Sequence, residues 1–417
     1  MDINRREYVK DVLNKDDNSK AMVAGWVEKV KSMGNINFIN LRDRTGVLQI
    51  VASGFKEISK LTPESVIIVS GVVKKGMKKS GEKELELKEF EVINRAETPL
   101  PIDLVQDTTQ IDKRIDYRHL DLHNPKIQAV FRIQSEILHS FREYFYKGGF
   151  IEFQTPNIIS ASSEGGTDLF EVKYFNQKAY LAQSPQLYKQ MGATSLEKVT
   201  MIVPVWRAEK HDTVRHLNES RQMDMEEAFK DEFGVMKRME ECIPFMIREI
   251  NRNCGNELKL LNVELKIPKF KYLSYEETVK LLKLKFGDDL SPEAEKELCK
   301  KFSETVVFVY DWPLEIKPFY IMPKDKKLSR GFDAIYKGME ISSGGQRIHL
   351  PDLLIERLKA KGLNPKDFKS YVDSFRHGAP MHSGWSIGLE RFTMALLELS
   401  NIREAVPFPR DRYRLTP

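Results

Sequence analysis

The sequence predicts an α+β protein in which a small all-β domain precedes a larger domain, the latter with a mainly antiparallel sheet flanked by helices. Two observations carry this prediction. Five short apolar or alternating runs fill the first hundred residues, and Gly, Asn and Lys turns separate them. Beyond one long helical pattern, strand-like and helical segments alternate, and several strands are joined by turns too short for a crossover helix. With 417 residues, 41% of them hydrophobic, the chain can form more than one core.

Residues 1–100 are assigned to the all-β domain. Its five strand-like runs are AMVAGWVEKV, INFINLRD, GVLQIVAS, SVIIVSGVVKKG and KELELKEFEVIN. Five such strands in so short a stretch favour a small closed barrel. A helix at residues 5–14 is expected to cover one end of that barrel.

Residues 101–127 are expected to form a hinge or linker rather than core, because early prolines and densely spaced polar groups dominate the segment. From 126 to 147 apolar residues recur at helical spacing, Pro125 suits the first turn, and Gly148 with Gly149 is a stop signal. Residues 128–417 are assigned to the second domain, with a helical insertion expected near residues 233–302.

Composition limits the function classes. Lys and Arg exceed Asp and Glu by 66 to 61, so the formal net charge of +5 permits a polyanionic partner without requiring one. The three cysteines, Cys242, Cys254 and Cys299, have no CxxC spacing, which argues against a disulfide framework or a zinc site and fits the cytoplasm. No run approaches the roughly 20 apolar residues of a membrane span, and no secretory signal is expected. Neither of the common glycine-rich nucleotide loops occurs.

The stretch VPVWRAEKHDTVRHLNES, residues 203–220, places a dense group of charges directly after an apolar strand. Arg207 and Glu209 share one strand face, Arg215 and His216 follow a polar turn, and RQMDMEEAF suits a returning antiparallel strand. A buried guanidinium without an anion is costly, and its planar fork grips two phosphate oxygens. A phosphate site is one interpretation, and a solvated hairpin tip with surface ion pairs is the other.

Two further stretches carry charge at a strand end. GMEISSGGQR sets Glu340 among apolar residues, with Ser343 and Arg347 around a glycine pair. A strand carboxylate near phosphates is the usual holder of magnesium, although a glycine bulge with Glu340 in a structural ion pair explains the same pattern. GWSIGLERF places Glu390 and Arg391 directly before an apolar helix. A simple strand-to-helix junction, in which Arg391 pairs with Glu390, explains the same pattern.

Together with SSEGGTDLF and LAQSPQLYKQ, these stretches resemble the class II aminoacyl-tRNA synthetases, in the subclass of the aspartyl, asparaginyl and lysyl enzymes. FIEFQTPNI, with Pro156, resembles the first family motif, WRAEKHDTVRHLNE the second and GLERF the third, and the resemblance covers essentially the whole chain. EGGTDLF, QSPQLYKQ, RHLNE, SGGQR and FPRDRYRLTP are most similar to aspartyl enzymes of archaeal and eukaryotic type. Trp206, Asp212 and Val214 depart from the usual second motif.

This resemblance implies a two-step reaction, in which aspartate and ATP give aspartyl-adenylate and the aminoacyl group then passes to the 3′ end of tRNA-Asp. It implies catalytic roles for Arg207, Glu340 and Arg391, and Mg²⁺ held by Glu340 and Ser343. The implied ATP-binding residues are Arg207, Ala208, Glu209, Arg215, His216, Leu217, Glu340, Gly388, Leu389, Glu390 and Arg391. The implied aspartate-binding residues are Glu164, Gln186, Leu187, Tyr188, Lys189, Arg207, Ser343 and Arg347.

Lys189 and Arg347 would supply the fixed positive charge that separates aspartate from asparagine. On this basis the substitution Arg347→Leu is expected to abolish aspartate activation and to leave the fold intact.

The barrel resembles the anticodon-binding OB-fold of the same family. Phe38 and Gln49 match the positions that stack on and hydrogen-bond to anticodon bases, and Arg42 and Arg44 are expected to contact phosphates. A place in the barrel core is the alternative for Phe38. The first motif implies a homodimer with residues 126–156 at the interface.

Several functions therefore remain open at the level of sequence. The first is an aspartyl enzyme specific for tRNA-Asp, and the second is an aspartyl enzyme that also charges tRNA-Asn. An asparaginyl-tRNA synthetase is the third. A catalytically silent paralogue that only binds RNA and an amide-forming paralogue that makes asparagine are further alternatives, and the intact charged positions and the barrel argue against them.

Overall fold

The computed structural model describes residues 1–76, 82–104, 109–160, 169–210 and 213–417. These residues form two compact units, Met1–Asp103 and Leu104–Pro417. Each unit has its own buried apolar cluster. None of the helices in these ranges combines the length and the apolar character that crossing a membrane requires.

The first unit is a closed five-stranded barrel, as the sequence predicts. Its strands are β1 (Lys20–Met33), β2 (Ile36–Asp43), β3 (Gly46–Ser53), β4 (Val66–Lys75) and β5 (Lys83–Asn94), in the spatial order β1-β2-β3-β5-β4. Helix α1 (Val9–Leu13) is shorter than the predicted 5–14. It begins late because Glu7 is extended and paired with Val23, and the Val9 N–H then donates to the Asp43 carboxylate at 2.8 Å.

The second unit combines eleven helices and eleven strands within the described residues. The helices are α2 (Ile111–Asp116), α3 (Arg118–Asp121), α4 (Pro125–Lys147), α5 (Gln186–Leu196), α6 (Glu232–Asn253), α7 (Gly255–Leu261), α8 (Tyr275–Leu282), α9 (Pro292–Lys301), α10 (Pro351–Ala360), α11 (Lys369–Ser374) and α12 (Leu389–Leu397). The strands are β6 (Ile151–Glu152), β7 (Ile158–Ile159), β8 (Glu171–Tyr174), β9 (Gln177–Leu181), β10 (Lys198–Trp206), β11 (Glu219–Ala228), β12 (Lys269–Ser274), β13 (Thr305–Tyr310), β14 (Gly331–Tyr336), β15 (Met339–Gln346) and β16 (His382–Gly388).

The main sheet of the second unit has eight strands in the order β12-β13-β14-β15-β16-β11-β10-β6. Its inner pairs are antiparallel, and the two outermost pairs, β12–β13 and β10–β6, are parallel. A smaller antiparallel sheet has the order β7-β9-β8. The prediction of an α+β protein with a mainly antiparallel sheet is confirmed.

Helix α4 shows how one face of the main sheet is covered. The Asn124 side chain caps its first turn by accepting from the Lys126 N–H, Pro125 occupies the first turn, and Gly148 follows the last residue. The apolar stripe of α4, including Ile137 and Phe141, is fully buried together with Trp385 of the sheet. Each such side chain contributes about 1.5–3 kcal/mol when buried, so α4, α6 and α12 seal this face and leave the opposite one for polar groups.

The predicted linker at 101–127 differs from the structure in its second half. Residues from Leu104 onward belong to the second unit, and α2 and α3 lie within the predicted linker. Arg118 is fully buried and donates to the carbonyls of Arg403, Val406 and Pro407 at 2.7–2.8 Å. The Arg118 guanidinium is therefore satisfied by distant backbone and by Asp121 rather than by solvent, which ties this part of the segment to the second unit.

The segment near 233–302, predicted as a helical insertion, contains the helices α6 to α9 and also contributes strand β12 to the main sheet. Its first helix, α6, belongs to the central core through residues such as Met239 and Ile243. Strand β12 has only six residues and lies at the sheet edge with only Leu273 buried, and so short a strand is hard to assign by pattern alone.

Candidate active site

The face of the sheet opposite α4 carries a row of polar residues. Asp333 of β14, Ser343 of β15, Ser386 of β16 and Asp224 of β11 are neighbours in register across four strands. Directly opposite residues of an antiparallel pair point to the same face, so the four side chains share one surface. Even-numbered positions of β11 lie here, whereas Met223 and Met225 are buried in the core on the other side.

A bulge in β15 decides where Glu340 points. Asp333 pairs with Ser343 and Ile335 pairs with Glu340, so one extra residue, at Ile341, lies between two regular pairs. In an unbroken strand Glu340 and Ser343, three residues apart, would face opposite sides. The bulge returns both to the polar face. The stretch GMEISSGGQR does contain a bulge, but the bulge lies at Ile341 rather than at the glycine pair, and it places Glu340 where a metal site would need it.

An open pocket lies over this row. Its lining residues are Arg207, Glu209, Arg215, His216, Leu217, Ser220, Gln222, Glu340, Ile341, Ser342, Ser343, Ser386, Gly388, Glu390, Arg391 and Ile402. Most of the ATP-binding residues expected from the sequence are thus brought together from the β10–β11 turn, β15 and the start of α12. Two of them are not in the lining: Ala208 is half-buried, and the Leu389 side chain is part of the core.

The cations of the pocket differ in how they are held. The Arg207 side chain is 38% exposed, and its nearest carboxylate oxygen, on Glu209, is 4.0 Å away. The Arg215 Nη1 donates to Glu295 at 3.1 Å and its Nη2 to the Gly338 carbonyl at 2.9 Å. Asn218 fixes the turn itself by donating to the carbonyls of Arg207 and Glu209 at 2.7 and 2.9 Å.

A bound cation would stabilise the charged forms of two carboxylates in the pocket. Burial raises the pKa of Glu340, the neighbouring Asp333 carboxylate adds to the rise, and Arg391 and Lys317 oppose it. Burial likewise raises the pKa of Glu390 to about 7, with the Arg221 N–H acting against it. Glu340 and Ser343 present oxygen donors of the kind that Mg²⁺ prefers. Across the described ranges no three His, Cys, Asp or Glu side chains form a metal cage, so phosphates and waters would complete the coordination.

The two cations expected to select aspartate lie in a buried cluster beside the pocket. The Lys189 Nζ is 2.6 Å from Asp224 Oδ1 and 3.7 Å from Glu226 Oε2. The Arg347 guanidinium donates to both Glu226 oxygens, at 2.9 Å from Nε and 3.3 Å from Nη2. All four side chains are at most 3% exposed. We call Lys189, Asp224, Glu226 and Arg347 the buried ion-pair cluster.

Ser386 links the cluster to the pocket. Its hydroxyl lines the pocket and donates to Asp224 Oδ2 at 3.1 Å. Gly384, two residues earlier on β16, leaves the space that Glu226 needs, because a Cβ at Gly384 would overlap the Glu226 carboxylate. The absence of a side chain at this position is therefore a condition for the Arg347–Glu226 pair.

A buried chain of hydrogen bonds orients Gln186. The Gln186 Nε2 donates to Gln190 Oε1 at 2.8 Å, and the Tyr371 hydroxyl donates to the same oxygen at 2.8 Å. Gln190 Nε2 lies 3.0 Å from His382 Nε2, and His382 Nδ1 lies 2.9 Å from the Pro380 carbonyl. The proton of this imidazole therefore resides on Nδ1, and burial lowers the His382 pKa, which keeps the ring neutral.

The remaining predicted aspartate-binding residues fall elsewhere. Leu187 and Tyr188 line a separate depression together with Ser184 and Phe368. Glu164 lies outside the described residues. Ser343 is exposed at the pocket.

Sequence reasoning missed Asp224, Glu226, Asp333 and Glu295. Asp224 and Glu226 had a signal, because RQMDMEEAF alternates polar and apolar residues on a strand that is otherwise buried. A buried acidic residue needs a cation, so these two positions predict partners for Lys189 and Arg347. Glu295 had no such signal, since one acidic residue on an amphipathic helix is ordinary.

The barrel carries a separate groove, lined by Lys29, Lys31, Met33, Ile36, Phe38, Asn40, Gln49, Val51 and Glu84. Phe38 is half-buried there, and Gln49 Nε2 donates to Glu84 at 2.9 Å. The structure does not support the expectation that Arg42 contacts phosphates, because Arg42 is 8% exposed and donates to both Glu64 oxygens at 2.9–3.0 Å. Arg44, two residues on, is exposed.

Comparisons with known proteins match this architecture over the whole chain. Residues 110–412 match the family model "tRNA synthetases class II (D, K and N)", and residues 21–93 match the model "OB-fold nucleic acid binding domain". The Aspartate–tRNA(Asp/Asn) ligase of Methanocaldococcus jannaschii is 44% identical over 99% of this chain and 98% of that protein. The Aspartate–tRNA(Asp) ligase of Pyrococcus horikoshii is 44% identical over 99% and 100%.

Solved structures agree with these matches. The asparaginyl-tRNA synthetase of Pyrococcus horikoshii, complexed with asparaginyl-adenylate, superposes with a TM-score of 0.94 at 33% identity and covers 99% of both chains. The aspartyl-tRNA synthetase of Entamoeba histolytica gives a TM-score of 0.87 at 31% identity, covering 99% of this chain and 93% of the other.

Proposed function

The chain belongs to the class II aminoacyl-tRNA synthetases of the aspartyl, lysyl and asparaginyl group, and we propose that it is an aspartate–tRNA ligase. It joins L-aspartate to ATP as aspartyl-adenylate and passes the aspartyl group to the 3′ end of tRNA-Asp. The observation that carries this proposal is the continuity, on one sheet face, of an open cationic pocket with the buried ion-pair cluster. The first suits a nucleoside triphosphate and the second an acidic amino acid.

In the first step the pocket positions two anions for in-line attack. Arg207 would bring the substrate carboxylate and the α-phosphate together, with Arg391 and Arg215 along the rest of the polyphosphate. Catalysis then follows from positioning and electrostatic stabilisation rather than from a side-chain nucleophile. Magnesium held by Glu340 and Ser343 would neutralise phosphate charge and favour departure of pyrophosphate. The half-exposed state of Arg207 fits this role, because the guanidinium reaches the ligand without first breaking a buried pair.

Amino-acid choice would rest on donors that the cluster still offers. The Arg347 fork has five N–H donors, and Glu226 takes one on Nε and one on Nη2. Lys189 has three, of which one points to Asp224 and a second to the Trp385 carbonyl at 3.4 Å. A substrate carboxylate can therefore bind between cations whose positions are already fixed. Gln186, held by Gln190, which in turn accepts from the Tyr371 hydroxyl, would complete the pocket with Ser343, and Glu164 would bind the substrate ammonium.

In the second step the barrel would recognise the anticodon of the tRNA. Phe38 and Gln49 share one groove with Lys29 and Lys31, which combines an aromatic stacking surface with positive charge. We also propose a homodimer through α4 and β6, because Tyr146 and Ile151 leave apolar surface exposed to the extent of 82% and 46%.

One alternative deserves the same test. The Methanocaldococcus relative is named a ligase for both tRNA-Asp and tRNA-Asn, so the tRNA choice of this chain is part of the experiment. The asparaginyl neighbour with TM-score 0.94 makes asparagine the competing amino acid. The buried cations Lys189 and Arg347 favour the negatively charged substrate.

The deciding experiment uses the purified full chain with ATP and magnesium. Pyrophosphate exchange is measured with aspartate, asparagine and lysine in turn, and charging is measured on purified tRNA-Asp and tRNA-Asn. Exchange with aspartate alone and charging of tRNA-Asp is the expected result, and charging of both tRNAs selects the broader enzyme. Exchange with asparagine but not aspartate would overturn the proposed substrate, and no exchange with any of the three would overturn the activity.

A further inference from the structure

Helix α9 places Glu295 directly behind the open pocket. The Glu295 carboxylate accepts a hydrogen bond from Arg215 Nη1 at 3.1 Å, and the two side chains are only 12% and 16% exposed. Arg215 lines the pocket, whereas Glu295 does not. The acid therefore acts on the pocket through the Arg215 side chain, and the backbone N–H of Glu340 also donates to its carboxylate.

Arg215 is held from two directions. While Nη1 is bound by Glu295, Nη2 donates at 2.9 Å to the carbonyl of Gly338, in the turn between β14 and β15. Two hydrogen bonds to separate elements fix both the position and the plane of a guanidinium. The loop that carries Arg215 is polar and largely exposed around Thr213 and Val214, so the backbone alone would leave the long side chain free to rotate.

The helix that carries Glu295 is itself firmly seated. Ser291 caps it by accepting from the Ala294 N–H at 3.3 Å, and Pro292 occupies the first turn. Ala294 and Leu298 are buried in an apolar cluster that includes Val309 and Trp312. Glu295 is adjacent to Ala294 and one helical turn before Leu298, so burial of these neighbours fixes the direction in which its carboxylate points.

The charges around Glu295 create a conflict that an experiment can exploit. Burial and the neighbouring Glu340 carboxylate raise its pKa to about 7, against the opposing effects of Arg215 and Arg391. A negative charge here weakens the attraction of the pocket for a polyphosphate, whereas a fixed hydrogen-bond acceptor improves the placement of Arg215. If the charge effect dominates, removing Glu295 makes ATP binding tighter. If the placement of Arg215 dominates, removing Glu295 makes ATP binding weaker.

We propose that Glu295 is a positioning residue, which holds Arg215 in the orientation in which the pocket receives the polyphosphate of ATP. This inference rests on the proposed ATP-dependent function. It also assigns a role to the segment near 233–302, which the family motifs leave without one.

The test compares Glu295→Ala, Glu295→Gln and Glu295→Asp in aspartate-dependent pyrophosphate exchange. We expect Glu295→Ala to raise the KM for ATP about tenfold, because Arg215 must then be ordered when ATP binds. Glu295→Gln keeps an acceptor oxygen and should stay within about threefold of the unmodified chain, and Glu295→Asp should lie between the two. The KM for aspartate should not change in any of them.

Glu297→Gln is the matched control, since Glu297 lies on the same helix in a surface pair with Lys301 and should leave both KM values unchanged. In a chain that already carries Arg215→Ala, the added change Glu295→Ala should raise the KM for ATP less than twofold further, because the acid acts on the polyphosphate mainly through the arginine.

Three results would overturn the inference: ATP binding that is unchanged or tighter in both the Ala and Gln variants, equal increases in the KM for ATP and for aspartate, or fully additive losses with Arg215→Ala. Failure of the proposed function is distinguishable, because the unmodified chain would then show no exchange at all.

Discussion

The open pocket and the buried ion-pair cluster occupy neighbouring positions on the same face of one sheet, yet they hold their cations in opposite ways. Arg207 is 38% exposed and 4.0 Å from the nearest carboxylate, whereas Arg347 is 3% exposed and bound to both oxygens of Glu226. A cation that must receive a large, highly charged ligand is left accessible. A cation that must discriminate between two small ligands is held in a fixed position, and a protein carboxylate is needed to hold it there.

This difference predicts that the two sites respond differently to mutation. In the cluster, removing a charge damages the fold as well as the function, because its partner is left buried and uncompensated. In the pocket, the same change damages function alone. Four experiments test this contrast, and they follow in order of decreasing expected effect.

Arg347→Leu should cost about 3–5 kcal/mol of unfolding free energy, because the fully buried Glu226 carboxylate loses its partner. The sequence alone suggested an intact fold for this variant, and the ion pair to Glu226 overturns that expectation. Urea denaturation provides the measurement. Adding Glu226→Gln should restore much of the stability without restoring aspartate-dependent exchange, and an Arg347→Leu variant as stable as the unmodified chain would contradict the idea of a locked cation.

Arg207→Ala should reduce the rate of aspartate-dependent exchange by about 10³-fold, as expected for loss of a cation that stabilises phosphoryl charge. Its melting temperature should not change, since the side chain is half-exposed and closes no buried pair. Arg221→Ala is the control: that arginine is 42% exposed and pairs with Glu219 at 3.0 Å, but it does not line the pocket. Equal losses of rate in both variants would remove the distinction.

Glu390 tests whether a carboxylate of the open pocket titrates near neutrality. Its folded pKa of about 7 lies above the ordinary value of 4.5, so the stabilisation linked to its proton is complete below pH 4.5 and is lost as the pH rises through 7. The unfolding free energy of the unmodified chain should therefore fall by about 3 kcal/mol more than that of Glu390→Gln between pH 5 and pH 8. Parallel pH profiles for the two proteins would show that Glu390 is ionised throughout.

Phe38→Ala leaves both regions of the catalytic unit untouched and tests the barrel. Loss of one stacked base contributes about 1–3 kcal/mol, so the KM for tRNA should rise roughly tenfold or more. Pyrophosphate exchange with aspartate should be unaffected, because that reaction needs no tRNA. A parallel loss in exchange would instead place Phe38 in the structural core of the barrel.

Much of the fold and of the open pocket could be predicted from the sequence, because their signals are local. The five barrel strands and helix α4 follow from alternation, helical spacing and capping within a few residues. Arg207 directly follows an apolar strand, Glu340 interrupts one, and Arg391 lies in the first turn of the helix after one. Such positions mark sites where a charge must find an anion or a ligand.

The cluster and the linker could not be predicted in the same way. Arg347 and Glu226 are 121 residues apart in the chain, and Arg118 meets the carbonyl of Val406 288 residues away. No local pattern pairs such residues. The polar segment that contains Arg118 was therefore expected to be a linker, and Arg347 was expected to be a cation available to substrate. The bulge at Ile341 could not be predicted from local sequence either, because only the pairing of β14 with β15 shows that Glu340 and Ser343 share a face.

The sequence by itself determined which segments become strands and helices and which charged residues stand at their ends, because both follow from the periodicity of short stretches of chain. Tertiary structure alone decided which of those charges remain accessible and which are neutralised. Burial, and the partner that burial demands, depend on strands and helices that meet only after the chain has folded.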